Sequence, residues 1–253
     1  KKLDIKEMSN KTNFGKKEVS REEKTNLVNN VFSSVTENYD LMNDIMSFGL
    51  HRIWKQYFTT IVNIQNNQNV LDLAAGTADI SRLLLKQNSK TFNLTMCDIN
   101  EKILRAGRDK LVDYGYVSNF KTIVGDAQNL PFEENYFHHV TCSFGIRNTS
   151  SIDDALNSIY RVLKPGGSLN ILEFSKPNNF LSGVYDLYLN KFIPKIGGIV
   201  AKDEGSYRYL AESIQLHPSQ KEMIDKMEKV GYRKCQYYNL TSGIVAVHKG
   251  YKI

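Results

Sequence analysis

Cysteine is scarce in this chain: Cys97, Cys142 and Cys235 are odd in number, far apart and without CxxC spacing. That excludes a disulfide framework and a zinc-ribbon pattern, and it fits a reducing compartment. No uncharged apolar run approaches the roughly 20 residues that a membrane-spanning helix needs. Lys and Arg outnumber Asp and Glu by 33 to 27, giving a net charge of +6, yet no basic block or basic-aromatic interleaving occurs. A nucleic-acid stripe is therefore not expected, while a weak attraction to anionic lipid headgroups stays open. The first twenty residues, KKLDIKEMSNKTNFGKKEVS, mix acids with lysines, lack an apolar stretch and are poor in arginine. The expectation is neither a secretory signal nor a transit peptide, and hence a cytoplasmic protein, open to peripheral contact with the inner membrane.

What is present is the make-up of an ordinary globular chain: 253 residues, 41% hydrophobic and 24% charged. One domain over residues 21–253 accommodates this, after a polar, mobile segment over 1–20. Helical spacing of Leu27, Val28, Val31, Phe32 and Val35 predicts a helical N-terminal cap over 21–66, interrupted near Gly49. From Asn69 the texture changes to short β-branched runs alternating with helical stretches, the pattern of a parallel sheet with crossover helices. Strands are predicted at Val70–Leu73, Leu94–Asp98, Thr122–Gly125, His139–Ser143 and Leu169–Glu173, with helices at Ile80–Lys86, Lys102–Tyr114 and Asp153–Leu163. The last helix is predicted to close on LKPGG, where Pro165 cannot extend it. A cap insertion over 176–217, rich in aromatics (Phe180, Tyr185, Tyr188, Phe192, Tyr207, Tyr209), precedes a helix Gln220–Val230 and a terminal hairpin, Cys235–Leu240 and Ile244–Lys249. This is the strand inventory of a class I Rossmann-like methyltransferase: α/β, a mostly parallel seven-stranded sheet with helices on both faces.

The segment VLDLAAGTADI, Val70–Ile80, places a strand, a small-residue turn around Gly76 and a helix start in eleven residues. Such a turn lets backbone N–H groups approach a ligand. Asp98 follows Gly76 by 22 residues at the end of the second strand, where a carboxylate can accept both ribose hydroxyls. The turn lacks the G-x-G-x-x-G spacing of a dinucleotide site, and it begins with Asp72, whose charge suits the amino and sulfonium groups of S-adenosylmethionine. Asp126, in VGDAQNLPF, is placed to accept from an adenine amino group, with the Ala127 N–H aimed at a ring nitrogen. Each acid also has a plain reading, as a capping residue, a solvated strand end and an Asx turn respectively. Together, at the carboxyl ends of successive strands, they favour a nucleoside site.

Two longer segments, YDLMNDIMSFGLHRIW (Tyr39–Trp54) and RVLKPGGSLNILEFSKP (Arg161–Pro177), together with SFGIRN, GSYRYLAESI and the GYK near the end, resemble the UbiE-type quinone-biosynthesis C-methyltransferases over essentially residues 20–253. The resemblance implies that Thr77, Asp98, Asp126, Ala127 and Ser143 contact S-adenosylmethionine and that the acceptor is a prenylated quinol, either a demethylmenaquinol or a methoxy-polyprenyl-benzoquinol. The family usually carries DLAGGTGD at the first turn, whereas this chain has Ala75 and Ala78 at the two variable glycines. If either needs positive φ, alanine costs about 1–2 kcal/mol of strain.

Methylating an aromatic carbon needs an electron-rich ring, an in-line methyl donor and a group that generates or stabilises a phenolate. Arg147 and Asn148, just after the fourth strand, sit where such a fold brings the acceptor, and Arg147 can stabilise an oxyanion or polarise a water. A surface salt bridge is the plain alternative for Arg147. Tyr39, in the N-terminal family segment, could cover the site and orient a hydroxyl. His51 and Trp54 share a helix face and read as packing; no metal spacing is present. The rival readings are a methyltransferase with another acceptor, a nicotinamide oxidoreductase and a fold that has lost turnover. A homodimer and a larger quinone-synthesis assembly are both open.

Overall fold

The computed structural model describes residues 10–35, 41, 43–44, 47–87, 90–177, 183, 185, 187–200 and 203–253. The described residues begin with a hairpin, β1 (Lys11–Phe14) and β2 (Lys17–Ser20), within the stretch where composition predicts a mobile segment. Its anchors are remote in sequence: Phe14 stacks on Tyr209 with ring centroids 4.1 Å apart, and Lys16 N–H donates to Glu212 at 2.9 Å. Nothing local in a polar ten-residue stretch announces such partners. Ser20 Oγ accepts the Glu23 N–H at 3.1 Å and so caps helix α1 (Arg21–Val35), satisfying one of its orphan donors. Helix α2 (His51–Ile61) follows, burying Trp54 and Phe58.

The strands then fall close to their predicted places: β3 (Asn69–Leu73), β4 (Asn93–Asp98), β5 (Phe120–Val124), β6 (Phe137–Ser143), β7 (Leu163–Phe174), β8 (Arg233–Leu240) and β9 (Val245–Tyr251). Between them lie α3 (Asp79–Gln87), α4 (Glu101–Asp113), α5 (Ile152–Val162), α6 (Ile193–Val200), α7 (Glu204–Leu216) and α8 (Gln220–Val230). The LKPGG segment departs from expectation, since it belongs to β7: Leu163 already pairs with Phe137, and the register shifts before His139 meets Ser168. The extra residues, Pro165 among them, are taken up at this irregularity, where no ladder N–H is required.

Sheet order is β5-β4-β3-β6-β7-β9-β8, parallel except for β9, which runs antiparallel to both neighbours. Alternate residues feed opposite layers. Val70, Leu94 and Leu172 join Phe58, Leu84 and Leu210 in one core, while Leu71, Val140 and Ile171 join Leu156, Met223 and Met227 in the other. Aromatics of the cap over 176–217 are part of the first core: Tyr185, Tyr207 and Tyr209 are buried there, whereas Phe180 lies outside the described residues. No described helix is long and apolar enough to cross a membrane.

Successive strands run outward from β3 first to β4 and β5, then on its other side to β6 and β7, so the order reverses at β3. Ligands in open α/β sheets bind outside the carboxyl ends of the strands at such a reversal. Gly107 of α4 fixes how closely that helix approaches the turn after β3, because a Cβ there would lie 2.5 Å from Gly76 O and 3.0 Å from Ala78 N. Gly107→Ala is expected to lower the urea midpoint, a backbone clash of about 1–3 kcal/mol outweighing about 1 kcal/mol of helix propensity. A midpoint at or above that of the wild type would show that the turn yields freely.

Candidate active site

The carboxyl ends of β3, β4, β5 and β6 and the inner face of α1 enclose a pocket whose wall includes Gly76, Asp98, Asp126, Ala127, Ser143 and Asn148. Helix α1 supplies Val28 and Phe32 as its apolar side. Five of the residues expected to bind a cofactor therefore meet in one cleft, with Asn148 beside them.

Asp98 is buried and already accepts two backbone donors, the Gly76 N–H and the Asn100 N–H, each at 2.9 Å. Burial pushes its carboxyl up, and these N–H groups act in the opposite direction. Each oxygen keeps lone pairs for a further donor. Asp126 does form an Asx turn, accepting the Gln128 N–H at 2.9 Å, and it lines the pocket as well. The two readings of that residue are compatible. Gln128 in turn accepts from Ser150 Oγ at 2.7 Å and closes the rim.

Ser143 Oγ is buried, lacks a hydrogen-bond partner among the described residues and borders the pocket. A buried hydroxyl in that state costs free energy unless a ligand satisfies it. Thr77 Oγ1 is likewise buried without a partner, although Thr77 does not itself line the pocket. Asp72 lies behind the turn: it accepts from Ser81 Oγ at 2.6 Å and Thr141 Oγ1 at 3.0 Å and is absent from the pocket wall. Burial, only partly offset by those bonds, pushes its carboxyl up to about 6. Direct contact with a sulfonium, expected for Asp72, is not the geometry here; it braces β3 against α3 and β6.

The turns after β3 and β6 store backbone strain. Ala74 (φ 53°), Ala78 (φ 65°) and Phe144 (φ 54°) are left-handed without being glycine, as is Gly76 at φ 52°. Of the two variable positions, Ala78 thus occupies the costly conformation and Ala75 does not, while the left-handed Ala74 escapes sequence inspection. Phe144, also missed, lines the pocket.

Arg147 is neither a surface residue nor a wall of this pocket. It belongs to a 3-10 turn, Ile146–Asn148, and its Nη1 donates to Glu173 Oε1 at 2.8 Å and to Phe144 O at 2.6 Å. Both partners are buried. Burial raises the Glu173 carboxyl, and the Arg147 charge opposes that. Glu173 is a functional neighbour that sequence reasoning missed, although an acid inside the apolar run NILEF was its signal. Asn148 bridges the two regions, accepting from Tyr209 Oη at 3.1 Å. Tyr39 lies outside the described residues. His51 and Trp54 are buried on one face of α2, and Trp54 Nε1–H donates to Thr241 at 2.8 Å.

A carboxylate at the end of the second parallel strand, a small-residue turn after the first and an unsatisfied hydroxyl bordering the cleft between them are the arrangement of an S-adenosylmethionine-dependent methyltransferase. The fold likeness agrees: a solved SAM-dependent methyltransferase from Thermotoga maritima, described as a possible histamine N-methyltransferase, superposes with a TM-score of 0.63 at 16% identity, covering 89% of this chain and all of that one. The chain belongs to the ubiE/COQ5 methyltransferase family, whose model matches residues 17–252. It is 50% identical over 242 residues to the ubiquinone/menaquinone biosynthesis C-methyltransferase UbiE of Haemophilus ducreyi, covering 95% of this chain and 93% of that protein. The Legionella pneumophila protein of the same name is 48% identical, with 95% and 97% covered.

The raised Asp72 carboxyl has a thermodynamic consequence. Between about pH 4 and 6 the native state binds a proton that the unfolded chain has released, so this group's contribution to stability falls as pH rises, by about 3 kcal/mol for two pH units. Asp72→Asn should remove that slope: the stability difference between wild type and variant, from urea unfolding, is expected to move against the wild type by about this amount from pH 4 to 7. A difference independent of pH would contradict a raised Asp72.

Proposed function

We propose that this chain transfers a methyl group from S-adenosylmethionine to a ring carbon of a prenylated quinol in ubiquinone or menaquinone biosynthesis, with demethylmenaquinol, 2-polyprenyl-6-methoxy-1,4-benzoquinol or both as acceptor. Near-50% identity across 95% of the chain to C-methyltransferases named for both pathways is the observation that carries this reading. In it, Asp98 holds the ribose, Asp126 and the Ala127 N–H the adenine, and Gly76, Thr77 and Ser143 the methionine end and sulfonium. Asp72 acts from behind, through the shape of the turn. The unsatisfied hydroxyl of Ser143 supports a ligand at this place.

When bound, S-adenosylmethionine supplies an electrophilic methyl group. The residues supply position and exclusion of water: Val28 and Phe32 of α1 wall the cleft, which strengthens every charge interaction inside it. Asn148 and Arg147 are assigned to the acceptor side, Arg147 as a stabiliser of ring-oxygen charge and Tyr39 as a cover that orients a hydroxyl.

An exposed aromatic cluster supports a peripheral lipid contact for reaching a prenylated acceptor. Phe48 is 78% exposed and stacks on Tyr188 at 5.1 Å, which in turn stacks on Phe192 at 6.5 Å. Exposed aromatics beside Lys191 suit a headgroup interface.

Incubation with methyl-labelled S-adenosylmethionine and each quinol should place label on a ring carbon of at least one; label on neither overturns the reading. Asp98→Ala is expected to weaken donor binding tenfold or more, since hydrogen bonds to a charged group contribute about 1.5–3 kcal/mol each. An unchanged dissociation constant would remove Asp98 from the site.

Arg147 requires a more careful test, because Arg147→Ala strands Glu173 and costs about 3–5 kcal/mol of stability by itself. Arg147→Lys keeps a cation beside Glu173 and loses the planar fork. The lysine variant is expected to stay folded, bind S-adenosylmethionine normally and turn over at least about tenfold more slowly, or ~1.4 kcal/mol. Full activity in Arg147→Lys would confine Arg147 to its ion pair.

A further inference from the structure

A second cavity of about 280 Å³ opens between the N-terminal hairpin, α1 and α7, sharing Thr149 and Ser150 with the donor pocket. The charged and titratable groups facing it are Arg21, Lys24, Arg147, Asp153, Tyr209, His217 and Lys226. Most of these charges are matched. Arg21 pairs with Asp154 at 2.6 Å, Arg147 with Glu173 at 2.8 Å and Lys226 with Asp153 at 2.9 Å.

Lys24 is the exception. It is 7% exposed and has no hydrogen bond or ion pair among the described residues. Burial alone drags its ammonium down to about 8. Two further donors point the same way. The Arg147 Nη2 edge has no partner, its Nε and Nη1 being engaged by Ser213, Phe144 and Glu173. His217 is 3% exposed, and neither ring nitrogen is bonded. Burial and the nearby Arg147 hold its imidazole down to about 3, so it is neutral and offers one N–H. A largely buried cation with no counter-charge, beside idle donors, is unfavourable for the protein alone.

We propose that this cavity is a subsite for one anionic oxygen ligand, held by Lys24 with the free edge of Arg147 and the His217 N–H. The anionic oxygen has two candidate sources. One is an ionised ring hydroxyl of the acceptor, which rests on the methyl-transfer reading above; its proton passes to Nζ of neutral Lys24, leaving a phenolate beside an ammonium. The other is a free small oxyanion such as phosphate, which does not depend on that reading. A phenolate at this place makes the ring carbons more nucleophilic towards the donor across the Thr149–Ser150 wall.

The test uses the full chain with its lysine side chains carbon-13 labelled and inorganic phosphate as the probe. The Lys24 Cε signal, assigned by its loss in Lys24→Met, should titrate near pH 8 in buffer without oxyanions and move up by a unit or more with saturating phosphate. Lys24→Met should abolish phosphate binding and Lys24→Arg keep it. Folding is not at issue for the methionine variant, because it removes an uncompensated charge: its melting temperature should exceed the wild type's at pH 7. That gain should shrink as pH rises from about 8 and vanish above pH ~11.5, where neither the folded nor the unfolded Lys24 is charged. Saturating quinol separates the sources. Phosphate that competes with quinol, and a Lys24→Met rate loss that shrinks as pH rises towards the quinol's own ionisation, identify the acceptor hydroxyl; phosphate that binds alongside quinol, or binds when no quinol is methylated, identifies the free anion. A Lys24 signal that ignores phosphate, together with Lys24→Met kinetics equal to wild type, overturns the subsite.

Discussion

The Asp98 carboxylate is engaged by two backbone amides before any ligand arrives, and the walls of the donor pocket depend on that engagement. Through Gly76 it pins the turn after β3, and through Asn100 it sets the entry to α4. Asn100 then caps α4 with its side-chain oxygen while its amide reaches Asn29 O and Ser33 Oγ on α1, at 3.2 and 2.9 Å. Turn, helix and cover are thus tied by consecutive hydrogen bonds from one strand end. The burial of a carboxylate is tolerable there because amides and the N-terminal dipole of α4 replace its water.

The sheet was legible in the sequence because parallel strands buried on both faces read as short apolar runs, and helices such as Gln220–Val230 carry their own caps in Ser219 and Glu222. Five of the residues expected to bind a cofactor line one cleft, because all five lie at or just after the carboxyl ends of neighbouring strands. What escaped depends on partners far along the chain. The hairpin over 11–20 is held by Tyr209 and Glu212, and Arg147 finds Glu173 twenty-six residues on. Strain escaped for a different reason: positive φ at Ala74 and Phe144 leaves no mark in residue type, whereas the family's glycine pattern exposed Ala78. Asp72 was misplaced because charge suggested a ligand contact while its strand position, alternating inward, sends it behind the turn.

Polar groups in the cap form a second layer over the first core. Tyr209 donates to Asn148 and stacks on Phe14, and Ser213 receives the Arg147 Nε–H. The ion pair of Arg147 and Glu173 sits where β7, the turn after β6 and α7 converge. Such a pair contributes little net stability against an apolar substitute, but it penalises any arrangement that separates its members. The position of α7 relative to the strand ends is therefore specified by charge as well as by packing.

Strand β9 lies inside the sheet rather than at its margin, its residues Val245–Tyr251 bonded to β7 on one side and β8 on the other. During synthesis this has a temporal consequence. The β7 edge, Ser168–Phe174, stays open on the growing chain until almost every other element has left the ribosome, and β8 has nothing to pair with before then. Closure of the sheet is consequently a late, long-range event, and until then the nascent protein carries an unpaired strand edge open to pairing with other chains.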